Sequence, residues 1–405
     1  MLRLSNRWTP CNGCFFVPRI GRMLKRIILA GIFCLCANAM AQQDTTKIAV
    51  DSLLIKQLQQ QMAATSQPPP QQVATLRTAP STNPDLSAIG DFRSSYTSIG
   101  RRKVETYLNE LELQVASVVD PYARAEFLFS FGKDLDTGEL GIELEVGTLT
   151  SLSLPHQLQI TLGKFKPQFG KVNVLHPHYF SFVDFPQMTK NFFEEEGMFM
   201  EGVSASWLVP NPYDFYQELV VEVGRAGSEP NASLVQGETD RLLYIGHLKN
   251  FFALTDNATL EVGLSALNGP TQYHFSTTML GFDLTYKWKP LQFNTYKSFT
   301  WQNEALVNRS KISGNDIIKT YGGYSYAEYQ IRKRWFTGIR YDYAGLPDTK
   351  GQRDQAASLL LRFQPTEFQI LALQYKYTDS NYARNYSQVV LRAIFGIGKH
   401  AAHAY

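Results

Sequence analysis

From Asp85 to Phe395 the chain repeats one pattern, a short segment in which apolar and polar residues alternate with period two. Leu111, Leu113 and Val115 alternate with Glu110, Glu112 and Gln114. Phe127, Phe129 and Phe131 alternate with Glu126, Leu128 and Ser130, and Ile142, Leu144 and Val146 with Glu143 and Glu145. The pattern returns around Glu218, Glu222, Glu261, Asp283, Lys287, Arg340, Arg362, Lys376 and Arg392. Successive side chains on a strand point to opposite faces, so each segment predicts a strand with one apolar and one polar face. Counting every such segment gives about sixteen strands.

Two architectures accommodate so many amphipathic strands. A soluble sandwich hides the apolar faces inside, whereas a membrane barrel turns them outward to lipid. The segments run about ten residues, the length that crosses a bilayer at a tilt. Aromatic residues gather toward segment ends, as at Tyr286, Trp288, Trp335, Tyr341, Tyr343, Tyr375 and Tyr377, which suits interfacial girdles. The polar faces carry more charge than a tightly filled interior tolerates. The expected fold is therefore all-β, a transmembrane antiparallel up-and-down barrel. Leu111, Leu113, Val115, Phe127, Phe129, Leu284, Leu361 and Leu373 are expected to face lipid.

The N-terminal region lacks this alternation. Residues 1–41 read as a leader and signal peptide: Met23-Leu-Lys-Arg is a basic start, Ile27 to Cys36 an apolar stretch, and Ala39-Met-Ala41 a cleavage site. Met23 is the expected start of translation. All four cysteines lie in this leader, Cys11 and Cys14 included, so the exported chain would have neither disulfide nor thiolate chemistry. The leader also carries six basic residues and no acid, and its removal turns the net charge from +3 to −3. That balance gives nucleic-acid binding no electrostatic support. Residues 42–84 read as a periplasmic segment, helical along Val50, Leu54, Leu58 and Met62 and then a Pro/Gln-rich linker. The barrel is assigned to 85–405.

One stretch between strands breaks the alternation. Lys166 to Glu201 gathers six Phe and Tyr residues between Tyr179 and Phe193, two histidines and several acids. A connection this long in a compact fold is usually functional, and so many aromatics suit a loop folded back into the barrel. His176, His178, Asp184, Glu194, Glu195 and Glu196 are then candidates to line a constriction. The same residue types can bind a divalent metal, but His-x-His across a proline is weak ligand spacing, and no metal or cofactor is assigned. No histidine sits in a nucleophile motif, so an enzyme is not expected.

Several stretches resemble a known group. Asn83-to-Phe92 (NPDLSAIGDF), Val119-to-Phe127 (VDPYARAEF), Leu152-to-Pro186 (LSLPHQLQITLGKFKPQFGKVNVLHPHYFSFVDFP) and Glu194-to-Gly197 (EEEG) resemble porin-like outer-membrane proteins related to the phosphate-selective porins. Gly163 to Gly170 is the most specific part. The resemblance spans about Asn83 to Tyr405. It implies an outer-membrane barrel, often a homotrimer, bounded by outer-membrane lipids and passing small hydrophilic solutes without energy input. Phosphate selectivity does not carry over, because the first half of the polar face is acidic. A plugged structural or adhesin-type barrel is the alternative, with metal-ion transport or an outer-membrane enzyme behind it.

Parity places Glu110, Glu112, Glu126, Glu143, Glu145, Glu222, Glu261 and Asp283 on the lumen side of the earlier strands. Lys287, Arg340, Arg362, Lys376 and Arg392 fall on the lumen side of the later ones. An acidic wall facing a basic wall is the expected result.

Overall fold

The computed structural model describes residues 84–100, 103–133, 140–213, 215–226, 234, 241–271, 275–314 and 316–398. The expected signal peptide, helical segment and linker lie outside the described residues, apart from Pro84.

The alternating segments form sixteen strands. The first eight are β1 (Asp85–Thr97), β2 (Val104–Asp120), β3 (Ala123–Lys133), β4 (Leu140–Ser151), β5 (Leu158–Phe165), β6 (Met200–Leu208), β7 (Tyr216–Ala226) and β8 (Leu243–Thr255). The second eight are β9 (Ala258–Pro270), β10 (Ser276–Trp288), β11 (Phe299–Lys311), β12 (Ile317–Arg332), β13 (Trp335–Gly345), β14 (Arg353–Thr366), β15 (Gln369–Ser380) and β16 (Tyr386–Gly398). Each pairs antiparallel with its neighbours in sequence, and β16 pairs with β1, closing the barrel. Closure pairs every strand on both sides, though β4 meets β5 only over Gly147–Thr150.

The two rims differ. Turns of two residues join β2 to β3, β8 to β9, β12 to β13 and β14 to β15 at the rim where β1 starts and β16 ends. The 34-residue connection between β5 and β6 leaves from the other rim.

The apolar faces point outward. Leu113, Phe127, Leu361 and Leu373 are 36–46% exposed in this outer belt, with Leu111, Val115, Phe129 and Leu284 half-buried on the same face. Trp335 and Phe363 pair across β13 and β14 with ring centroids 4.7 Å apart. No described helix is long and apolar enough to cross a membrane; the strands make the crossing.

One part of the expected alternation fails. In the β3–β4 pairing, Phe129 faces Leu144 but Leu128 faces Val146, so Glu145 is the extra residue of a β-bulge. The bulge reverses parity beyond it. Val146 therefore shares the inner face of Leu128, while Ile142 and Leu144 stay outside.

The hydrophobic core is inside the barrel, and the β5–β6 connection supplies ten of its 24 buried residues. Phe169, Val172, Phe182, Phe185, Met188, Phe192 and Phe193 of that connection pack with inward residues of the wall, among them Leu267, Met279, Leu306, Tyr324, Tyr326 and Leu360.

Candidate functional site

The connection is tied off at its neck. Asn173 donates through Nδ2 to the Pro167 carbonyl (2.8 Å), and its Oδ1 accepts from the Met198 amide (2.7 Å). Lys166 Nζ donates to the Glu196 carbonyl at 2.6 Å, joining the departing chain to the returning one. One side chain thus satisfies backbone groups at both ends of the loop, which a buried loop requires.

Gly170 makes the first bend. It holds φ +67°, and a Cβ there would stand 2.2 Å from Glu304 Oε2. Its amide donates to Ser265 Oγ (2.9 Å), and the Val172 amide donates to Glu304 Oε1 (2.8 Å). Glu304 also accepts from the Tyr324 hydroxyl at 2.6 Å. The loop's opening turn is therefore bonded to β9 and β11.

From there the loop crosses to the opposite wall, where Asp184 is the hub. Its carboxylate accepts from Lys376 Nζ (2.6 Å), Arg340 Nη2 (2.9 Å) and Gln374 Nε2 (2.7 Å). Burial by itself would raise the Asp184 carboxyl, but Lys376, Arg340 and Lys190 outweigh it and hold the group well below the ordinary carboxylate range. Arg340 also bonds Asp342 (2.8 Å) and lies over the Phe182 ring at 4.8 Å. A short helix, α1 (Gln187–Phe192), follows, and its Met188 and Phe192 fill the space left by Gly322 on β12. The Gln187 amide donates to Asp342, and Asn191 donates to Asp354.

The two histidines turn the other way. His178 Nδ1 lies 2.9 Å from Glu112 on β2, and His176 Nδ1 lies 3.0 Å from Glu145 on β4. Glu196 returns to the same place: one carboxylate oxygen from each of Glu110, Glu145 and Glu196 falls within 4.8 Å of the others. Burial and then the Glu145 charge push the Glu196 carboxyl up to about 7, against a smaller opposing effect of Lys166. Glu195 is exposed and pairs with Lys190 at 2.6 Å, and Glu194 is half-buried beside it. Asp184 thus meets β13 and β15, whereas the histidines meet β4 and β2.

The remaining wall residues fall on both sides of the loop. Glu222 accepts from the Gln168 amide (2.9 Å), and Glu261 pairs with Lys171 (2.6 Å). Glu126 accepts from Gln114 (2.6 Å), and Glu143 reaches Lys164 at 2.9 Å while remaining largely exposed. Asp283 is buried on β10. Lys287 lines a cavity of about 260 Å³ with Phe251, Thr259, Glu261 and Thr285. Arg362 pairs with Glu328 (2.7 Å), and Arg392 with Asp91 (2.9 Å).

These pairs revise the expected two-wall field. Asp91, Glu328, Asp342 and Asp354 also face inward, interleaved with the later cations, and Lys171 does the same among the earlier acids. Arg340, Arg362, Lys376 and Arg392 are each paired with an acid. Ala88 and Gly90 blunt the alternation around Asp91 in the sequence. Asp342 lies between the girdle aromatics Tyr341 and Tyr343, which mask its polar position in the sequence.

No family model matches the chain. An uncharacterized protein of Aquifex aeolicus (strain VF5) is 29% identical over 339 residues, which is 74% of this chain and 70% of that protein. Among solved structures, the outer membrane channel DcaP of Acinetobacter baumannii matches with a TM-score of 0.54 at 12% identity, over 78% of this chain and 98% of that one. An anion-selective porin from Comamonas acidovorans matches with a TM-score of 0.53 at 12% identity, over 78% and 99%. The trimer form of OmpT, an outer membrane protein of Vibrio cholerae, gives 0.50 at 10% identity, over 78% and 100%. The likeness is one of fold. This chain has the closed sixteen-strand barrel of the outer-membrane porins.

Proposed function

We propose that the protein is an outer-membrane porin through which small hydrophilic solutes or ions diffuse passively, with the β5–β6 loop setting the width of the passage. The observation that carries this reading is the loop's seat. It is bonded to β7, β9 and β11 at its start, to β13, β14 and β15 at its middle, and meets β2 and β4 through its histidines. A loop anchored round the whole wall narrows any path along the barrel axis. The ion-paired wall offers a solute polar contacts in exchange for hydration, with little net preference for charge. Assembly as a homotrimer belongs to the same reading, supported by the trimer form of the fold neighbour OmpT.

A second reading is a barrel that the loop plugs. It is favoured by the aromatic core, in which Phe182, Phe192 and Phe193 are no more than 2% exposed. Planar-bilayer conductance decides between them. A porin conducts as the intact chain, and a variant lacking residues 171–195 conducts several-fold more. A closed intact chain that conducts only after the deletion establishes the plug. Equal conductance of both would show that the loop does not set the passage.

A further inference from the structure

Two parts of the seated loop are held by different chemistry. Its middle hangs on Asp184, whose ionic partners include Lys376 and Arg340, side chains of a type that stays charged through the neutral range. Its first limb, residues 174–179, meets the barrel through imidazole. His178 Nδ1 forms a 2.9 Å hydrogen bond with Glu112 on β2. His176 Nδ1 stands 3.0 Å from Glu145 on β4 without hydrogen-bond geometry, so that contact depends on charge. Imidazole is the side chain whose charge ordinarily changes between about pH 5 and 8.

The surroundings make that charge matter. Glu110 and Glu112 of β2, Glu145 of β4 and Glu196 of the returning loop share the pocket with the two rings. Lys166 of the departing loop is the cation among them, and Ser130 on β3 gives Glu110 an uncharged hydroxyl bond (2.7 Å). Arg93 on β1 and Arg392 on β16 act from further off, and both are paired with Asp91. Tyr179 packs on the His178 ring at 3.9 Å, with Glu126 of β3 near it. The two imidazoles stack 5.9 Å apart, but each has its own carboxylate. Glu112 and Glu145 are 3% and 1% exposed, and a carboxylate so buried is strongly unfavourable once its counter-charge is lost.

We propose that His176 and His178 are a proton-operated latch. Protonated, they seat residues 174–179 on β2 and β4; neutral, they let this limb move off the wall while Asp184 keeps the loop's middle on β13 and β15. Raising the pH acts in one direction on both kinds of group. Imidazole loses its positive charge. The Glu196 carboxyl, pushed up to about 7 by burial and then by Glu145, keeps its proton below that value and adds a negative charge above it. Each change makes the pocket more negative, so this seat is firm in mild acid and weakens as pH rises through about 7. A passage whose shape follows the pH of the medium is the consequence, and that consequence alone rests on the channel reading.

The test follows amide hydrogen exchange by mass spectrometry on the full chain folded in detergent micelles, at about pH 5.5 and about pH 8.5. Rates are expressed as protection factors, which remove the intrinsic pH dependence of exchange. Residues 174–181 should lose protection at least about tenfold at the higher pH, whereas residues 183–192 keep theirs and serve as the internal reference. The NMR signals of the two imidazole rings should titrate over the same interval. His176→Gln combined with His178→Gln, uncharged at every pH, should leave residues 174–181 poorly protected throughout, with no step. Glu143→Gln, outside the pocket, should keep the step. Equal protection of the intact chain at the two pH values would overturn the latch, as would a step that survives in the double variant. Should that variant not fold, the intact chain decides: a step that does not coincide with the imidazole titration overturns the latch. Exchange in micelles is measured without conductance, so a failed latch leaves the channel reading standing, and a chain that does not conduct leaves the latch readable.

Discussion

Asp184 shows what a single buried carboxylate can hold in place. Three wall side chains, Lys376, Arg340 and Gln374, converge on it. Breaking a buried ion pair by removing one partner costs about 3–5 kcal/mol, because the other charge stays behind. Arg340 keeps Asp342, so Lys376 is the group most exposed to this cost. Asp184→Asn should leave the barrel folded but raise amide hydrogen exchange across residues 180–192, measured by mass spectrometry in micelles. Unchanged exchange there would remove Asp184 from the anchoring role. The pH dependence has a definite sign. The folded Asp184 carboxyl lies below its ordinary value of 3.8, so its stabilising effect is fully present above that value. It is lost as pH falls below 3.8 toward the folded-state value, and this tie should loosen in strong acid, not near neutrality. Asp184, Arg340 and Lys376 each stood out in the sequence. Their partnership did not, because 156 and 192 residues separate the members.

The loop was legible as an element, and its seat was not. Its aromatic content signalled burial, and its missing alternation signalled that it is not a strand. Nothing local tells which strands it touches, since those choices depend on the closed barrel. Gly170 is where local geometry and tertiary contact meet. The left-handed backbone costs an L-residue roughly 1–2 kcal/mol, and a side chain there would also displace Glu304. Gly170→Val should detach the Val172 amide from Glu304, and exchange at residues 168–174 should rise in consequence. A protected turn in that variant would show that the loop's first bend is set by the neck alone. The bulge at Glu145 was equally hidden. A run such as Ile142, Leu144, Val146 is regular in sequence, and only the partner strand reveals the extra residue.

For the whole molecule, the repeated two-residue period predicted the number of strands and the outward apolar faces. Each strand's preference is weak alone, but in the closed barrel all sixteen turn their apolar faces outward, with the parity switch at the Glu145 bulge as an interruption in β4. Leu361 stands in the outer belt, 40% exposed. Leu361→Arg near the bilayer midplane should cost about 2–4 kcal/mol, read as a lower urea midpoint for unfolding from lipid vesicles. An unchanged midpoint would mean that this face does not meet lipid. The closed barrel also gives the interior a biography. The loop leaves after β5, but Val183, Asp184 and the Asp184 cations meet across 156 to 192 residues of chain. Joining such distant segments is slow, and β13 to β15 must exist before the loop has anything to grip. Assembly therefore passes through a barrel whose strands are paired while its middle is still open. In refolding experiments the strand signal should appear first and protection of residues 180–192 later, with dye leakage from the host vesicles greatest in between.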